Sequence, residues 1–203
     1  MKNKILLAVL LLLTCTAYAE DAKQLAKVDN YSGIYVFSES EPVAEYETLG
    51  DVSVSSGESS IYSIGGLTFV SGGTLQYSEL RNSLIVAAVM ANRQVEGVII
   101  RPEKAGCGRA TMIKFKDGTP KSERELAYVN SHRNVLVFID CKPVSDYEFH
   151  AKYKYHGWDG RFSKMIDNLV QNTRNLSKAS NAVIIHFITN GYDYAEAITI
   201  KED

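Results

Sequence analysis

Residues 147–155 alternate strictly, with Tyr147, Phe149, Ala151, Tyr153 and Tyr155 on one side and Glu148, His150, Lys152 and Lys154 on the other. A period of two predicts a strand with one buried and one wet face. Over 78–92 and 162–177 the spacing turns helical. Leu80, Leu84, Ala87, Ala88 and Ala91 form one apolar face there, and Met165, Leu169 and Leu176 form the other. Runs rich in β-branched and aromatic residues predict strands at 34–39, 97–101, 111–116, 135–140, 182–187 and 196–201. Residues 22–28 and 122–130 read as short amphipathic helices, the second opened by Ser122-x-x-Glu125, which has the form of a capping box. Two apolar arms around Gly65-Gly66, within 61–70, predict a tight hairpin.

These elements come in one order, twice. A shift of 101 places Leu25-Ala26-x-Val28 on Leu126-Ala127-x-Val129, and Pro42-Val43-x-x-Tyr46-Glu47 on Pro143-Val144-x-x-Tyr147-Glu148. Glu39 and Asp140 keep their charge under the same shift. Toward the end of each half a shift of 85 places Val98-Ile99-Ile100 on Val183-Ile184-Ile185, and Lys116 on Lys201. The chain is therefore a duplication whose first half carries 16 extra residues. The predicted fold is α+β: two tandem ββαββ modules, each a mostly antiparallel sheet packed on a helix. The first spans 20–117, with an insertion at about 55–73, and the second spans 118–203. The insertion hairpin reads as a pair of strands extending the first sheet; the alternative is an exposed edge that pairs with another chain.

Residues 1–19 stand apart from both modules. Lys2 and Lys4 precede the apolar run Ile5–Leu13, which ends at Ala17-Tyr18-Ala19, an A-x-A site. That is the form of a cleaved signal peptide, and the apolar run is too short to span a bilayer. The expected location is the periplasm or the exterior. Acylation at Cys15 is the weaker alternative, because Leu-Leu-Thr precedes it where a lipoprotein signal has a small residue. A net charge of −2 lacks the basic footprint of a nucleic-acid binder. An even pair of cysteines in an exported chain, Cys107 and Cys141, points to a disulfide, with two free thiols as the alternative.

The block Pro42-Val43-x-x-Tyr46-x-x-Leu49-Gly50-x-Val52, followed by a helix and Gly97-Val98-Ile99-Ile100, resembles a group of small bacterial envelope domains. That group includes the Rcs stress-sensor lipoprotein and the YbjQ-like family. The resemblance covers roughly 33–54 and 78–116. The second half keeps Pro143 and Tyr147 but has His150-Ala151 in place of Leu-Gly. It implies a fold and an envelope location, and a role in protein–protein signalling.

Catalytic signatures are missing. The chain has no Gly-x-Ser-x-Gly elbow, no C-x-x-C and no phosphate-binding glycine loop, so neither a catalytic residue nor a cofactor is assigned. His150 and His156 lack the spacing of a metal pair, and no metal ligand is assigned. His186 reads as half-buried within a strand, and His132 as part of a polar linker. The stretch 153–162 holds the only tryptophan, so Tyr153, Tyr155, His156, Trp158 and Arg161 form the candidate binding surface. The competing reading makes Trp158 a lid over the second core. The functional expectation is an exported, non-enzymatic binding or interaction module whose partner is an envelope protein or a cell-wall component. A hydrolase or carbohydrate binder using a cleft between the modules, and a metal binder, are the alternatives.

Overall fold

The computed structural model describes residues 24–55, 60–64, 67–71, 76–102, 108–155, 161–188 and 192–201. The expected leader, the Gly65-Gly66 turn, Gly106, Cys107, His156, Trp158 and Gly191 lie outside these residues.

The two Leu-Ala-x-Val segments are strands, β1 (Leu25–Val28) and β10 (Leu126–Val129), not the helices expected. Four residues are too few for a stable helix. Their period of two buries Ala26 and Val28 in one, Ala127 and Val129 in the other, and leaves Lys27 and Tyr128 outside. Only a single turn, α2 (Lys121–Arg124), survives of the second expected helix. β1 and β10 pair antiparallel with Ala26 opposite Ala127, so a pseudo-twofold axis passes between two alanines.

The chain then crosses between halves. β4 (Ser40–Pro42), from the first half, pairs with β10. β13 (Cys141–Pro143), from the second, pairs with β1 in the matching register. The result is a four-stranded sheet in the order β13-β1-β10-β4, to which both halves contribute alternately. Two backbone bonds show its symmetry: Val43 N–H donates to Leu126 O, and Val144 N–H donates to Leu25 O, each at 3.0 Å.

The remaining strands build two sheets of one design. In the first half β2 (Asn30–Tyr31), β3 (Ile34–Ser38), β8 (Gly97–Pro102), β9 (Gly108–Phe115) and β5 (Tyr46–Ser55) lie side by side. Their equivalents are β11 (Ser131–His132), β12 (Val135–Ile139), β15 (Ala182–His186), β16 (Tyr194–Ile200) and β14 (Tyr147–Lys154), in the same order. β3 runs parallel to β8, as β12 does to β15, and the other pairs are antiparallel. The inserted hairpin, β6 (Ser60–Ile64) and β7 (Leu67–Ser71), pairs with the end of β5 and widens the first sheet to seven strands, as expected. The architecture is thus α+β.

Even unusual backbone repeats. Ser32 and Gly33 have positive φ, as do Arg133 and Asn134, which is the geometry of a two-residue hairpin turn. Each β5-type strand also carries a bulge at the same place, at Leu49 and at His150. The bulge breaks the continuous alternation expected for residues 147–155. Tyr147 packs on the central core, whereas Tyr153 and Tyr155 pack on the core beneath the second helix. One extra residue switches the strand from one buried face to the other.

Helix α1 (Tyr77–Ala91) covers the outer face of the first sheet and α3 (Phe162–Leu176) that of the second. At the start of α1 the Gln76 N–H donates to Glu79 Oε2 at 2.9 Å, satisfying one of the orphan donors of a helix start. The inner faces of both sheets meet the buried face of the shared sheet in a third, central core containing Phe37, Phe115, Phe138 and Ile184.

Candidate functional site

Where the first sheet hands the chain to the shared sheet, Glu39 turns the corner with φ 51°; its equivalent Asp140 does so with φ 53°. The left-handed conformation is uncommon for residues other than glycine, asparagine and aspartate. Here it points two acidic side chains into the joint between halves, one on each side of the pseudo-twofold axis. The two ends have different contents.

At the Asp140 end the space is filled. Arg81 of α1 places Nη1 2.8 Å from Asp140 Oδ2, with both side chains about 5% exposed. Its guanidinium carbon lies 4.6 Å from the centre of the Tyr31 ring, a cation–π contact. Tyr77, one turn earlier, is fully buried and reaches across the joint to Phe162 and Phe187, at 4.8 and 4.2 Å between ring centres. Burial raises the Asp140 carboxyl to about 6 despite the neighbouring Arg81. Burial, with Asp140 nearby, raises the Tyr31 phenol to about 12.

At the Glu39 end the corresponding space is open. The shift of 85 puts Ile166 where Arg81 would be and Phe162 where Tyr77 would be; the shift of 101 puts His132 in the place of Tyr31. A pocket of about 400 Å³ remains, walled by Val137, Ile139, Phe162 and Ile166 and rimmed by Glu39, Asn130, Ser163 and His132. Asn130 Nδ2 donates to the Glu39 carbonyl at 2.9 Å. Burial raises the Glu39 carboxyl above its usual range, with Arg101 drawing it partly back. The Arg101 guanidinium is itself bound to Glu41 and lies 3.5 Å from the Ser40 carbonyl. A wider depression of about 730 Å³ between the halves is lined by charges that neutralise one another, Lys27 with Glu125 and Arg124 with Glu96.

Of the residues singled out by sequence, Tyr153, Tyr155 and Arg161 are described, and His156 and Trp158 lie outside the described residues. Tyr153 and Tyr155 support the core under α3 and are partly buried, and exposed Arg161 immediately precedes that helix. The bulge at His150 turns these two tyrosines toward the core under α3 instead of the central core. His150 Nε2 lies 2.7 Å from Thr199 Oγ1. Among the described residues no group of three or more His, Cys, Asp or Glu could hold a metal. The expected Cys107–Cys141 bridge finds no support. Among the described residues Cys141 has no disulfide partner; it is a buried thiol on the shared sheet, opposite Val28, and burial followed by the Asp140 charge raises it far above the usual thiol range.

His132 lies in a strand, not in a linker. Its Nε2 is 2.5 Å from Asp167 Oδ1, and Arg133 Nε is 3.1 Å from the same oxygen. The His132 hydrogen bond, more than the Arg133 charge, holds the Asp167 carboxyl below its ordinary range. His186 is half-buried, as expected, stacked on Tyr194 at 4.5 Å with Lys152 Nζ 3.3 Å from the centre of that ring.

Sequence reading missed the joint, although one signal pointed to it. Arg81 falls at helical spacing between Tyr77 and Leu84–Ala88, inside the apolar stripe of α1. An arginine there needs a buried acidic partner. Compared with models of protein families, with curated proteins and with solved structures, the chain matches none of them.

Proposed function

We propose that the chain is exported to the bacterial envelope and acts there by binding a partner, a protein or a cell-wall component, at the joint between its two related halves. One observation carries this reading: of two equivalent joint sites one is filled by Arg81, while the other is an open pocket with apolar walls and an acidic rim. Pockets of that size that set polar groups beside apolar walls are a common form of ligand site. The leader pattern and the resemblance of residues 33–54 and 78–116 to envelope domains support the location.

The test is expression of the full chain in a bacterium, followed by fractionation and N-terminal sequencing. The protein recovered should begin at Glu20, in the periplasmic fraction or the medium. Immobilised, it should retain from envelope extract a component that an Ile166→Arg variant does not. Recovery of an uncleaved chain in the cytosol refutes the location, and identical retention by both proteins refutes the site.

A second reading, an envelope hydrolase, is favoured by one arrangement. Ser163 and His132 line the same pocket, and His132 is held by Asp167, four residues beyond Ser163 on α3. These are the residue types of nucleophile, base and orienting acid. This reading requires hydrolysis of p-nitrophenyl acetate by the wild type, lost in both Ser163→Ala and His132→Ala.

A further inference from the structure

Resting on the binding reading of that pocket, we infer that the Glu39 site receives a guanidinium group carried by a ligand outside the chain. The filled end of the joint is the template. There the same fold, at the equivalent position, holds a guanidinium against a carboxylate at 2.8 Å and over an aromatic ring at 4.6 Å. At the open end the carboxylate is retained as Glu39, and the left-handed corner that aims it is retained too. The internal cation has gone, replaced by Ile166, and His132 stands where the template has Tyr31.

The chemistry left behind suits a flat, multiply donating cation. Among the described residues the Glu39 carboxylate has no hydrogen-bond or ion-pair partner, and Arg101, the cation whose charge acts on it, is committed to Glu41. Asn130 spends its amide nitrogen on the Glu39 carbonyl, which leaves its amide oxygen free to accept. The Ser163 hydroxyl on the rim is a further acceptor. A guanidinium brings five donors in a fixed fork and no acceptor, so it matches a carboxylate flanked by neutral acceptors. Val137, Ile139 and Ile166 offer an apolar wall for a methylene stem. An anionic ligand would meet Glu39 in a partly buried setting, and a wholly apolar one would strand its charge.

Calorimetry on the purified protein tests this with agmatine, with an acetyl-Gly-Arg-Gly-amide peptide and with butylamine. Both guanidinium probes should bind saturably at one site, with butylamine weaker by about tenfold because an ammonium is a point charge without the fork. Glu39→Gln should weaken agmatine by about tenfold or more, as loss of a charged hydrogen-bond partner does. Ile166→Arg, which supplies the sister residue internally, should abolish binding, and Ile166→Met should preserve it. Tighter binding of the peptide than of agmatine identifies an arginine of a polypeptide as the natural group; the reverse identifies a free guanidine. Equal affinity of wild type and Glu39→Gln overturns the inference, and so does the absence of saturable heat from both guanidinium probes. If heat is absent while retention from envelope extract still depends on Ile166, the ligand class falls and the binding site stands.

Discussion

Replacing Arg81 by methionine should cost about 3–5 kcal/mol of stability at pH 8, the usual penalty for leaving one member of a buried ion pair uncompensated. Methionine keeps an unbranched apolar stem but removes the guanidinium that lies over Tyr31 and faces Asp140, and both members of that ion pair are buried. The cost should depend on pH. Asp140 titrates at about 6 in the folded protein, above its ordinary 3.8, because burial outweighs the help of Arg81. A carboxyl raised on folding binds its proton more tightly in the native state. Its favourable contribution is therefore present below pH 3.8 and is lost as pH rises through about 6. Two units correspond to roughly 3 kcal/mol. Without Arg81 the carboxyl titrates higher still, so the variant should lose more on the way to pH 8 and approach the wild type near pH 4. Adding Asp140→Asn should recover much of the deficit at pH 8. Denaturant unfolding of the three proteins at pH 4.5 and 8 measures this; a penalty below about 1 kcal/mol at pH 8, or one equal at both values, contradicts the account of the pair.

The duplication was legible because it is written in residue order, and the paired strands reproduce both shifts. Tyr35 opposes Gly97 as Leu136 opposes Ala182, equivalents under 101 and 85 respectively. The helices and most of the strands followed from periodicity for the same reason: local spacing reports which face is buried. What failed was decided by distant partners. Leu-Ala-Lys-Val is too short for its period to declare itself, and its strand character comes from neighbours about a hundred residues away. The bulge at His150 leaves no mark in an unbroken alternation, since one half uses Gly50, at φ 118°, where the other uses Ala151. The joint was half legible. The matched charges of Glu39 and Asp140 were visible, but that one faces an arginine and the other an isoleucine depends on which helix of the duplicated pair crosses to which corner. Nor did the tyrosines of 153–155 announce that they lie beneath a helix.

The second large effect should come from Tyr77, which belongs by sequence to the first half and by packing to the second. Its side chain is fully buried within the core under α3, between Phe162 and Phe187, with ring planes tilted at 33° and 47°. Tyr77→Ala should cost about 3–5 kcal/mol, the range for removing a buried aromatic, because the cavity would be lined by packed residues of α3 and the second sheet and could collapse little. Tyr77→Phe should cost less than about 1 kcal/mol, since among the described residues the hydroxyl is buried without a well-formed hydrogen bond and has only the buried Ser38 hydroxyl near it as a partner. The contrast separates packing from polarity at a single position. A double-mutant cycle with Phe187→Leu should return a coupling of about 0.5–1.5 kcal/mol, as for aromatic pairs in contact. Even the alanine variant should unfold in one transition. The four-stranded sheet takes its strands alternately from the two halves, so neither half can open without stripping β1 or β10 of its neighbours. Two resolved transitions in Tyr77→Ala would show that the shared sheet does not by itself hold the halves together, and a loss below about 1 kcal/mol would show that the ring is not what ties α1 to the opposite core.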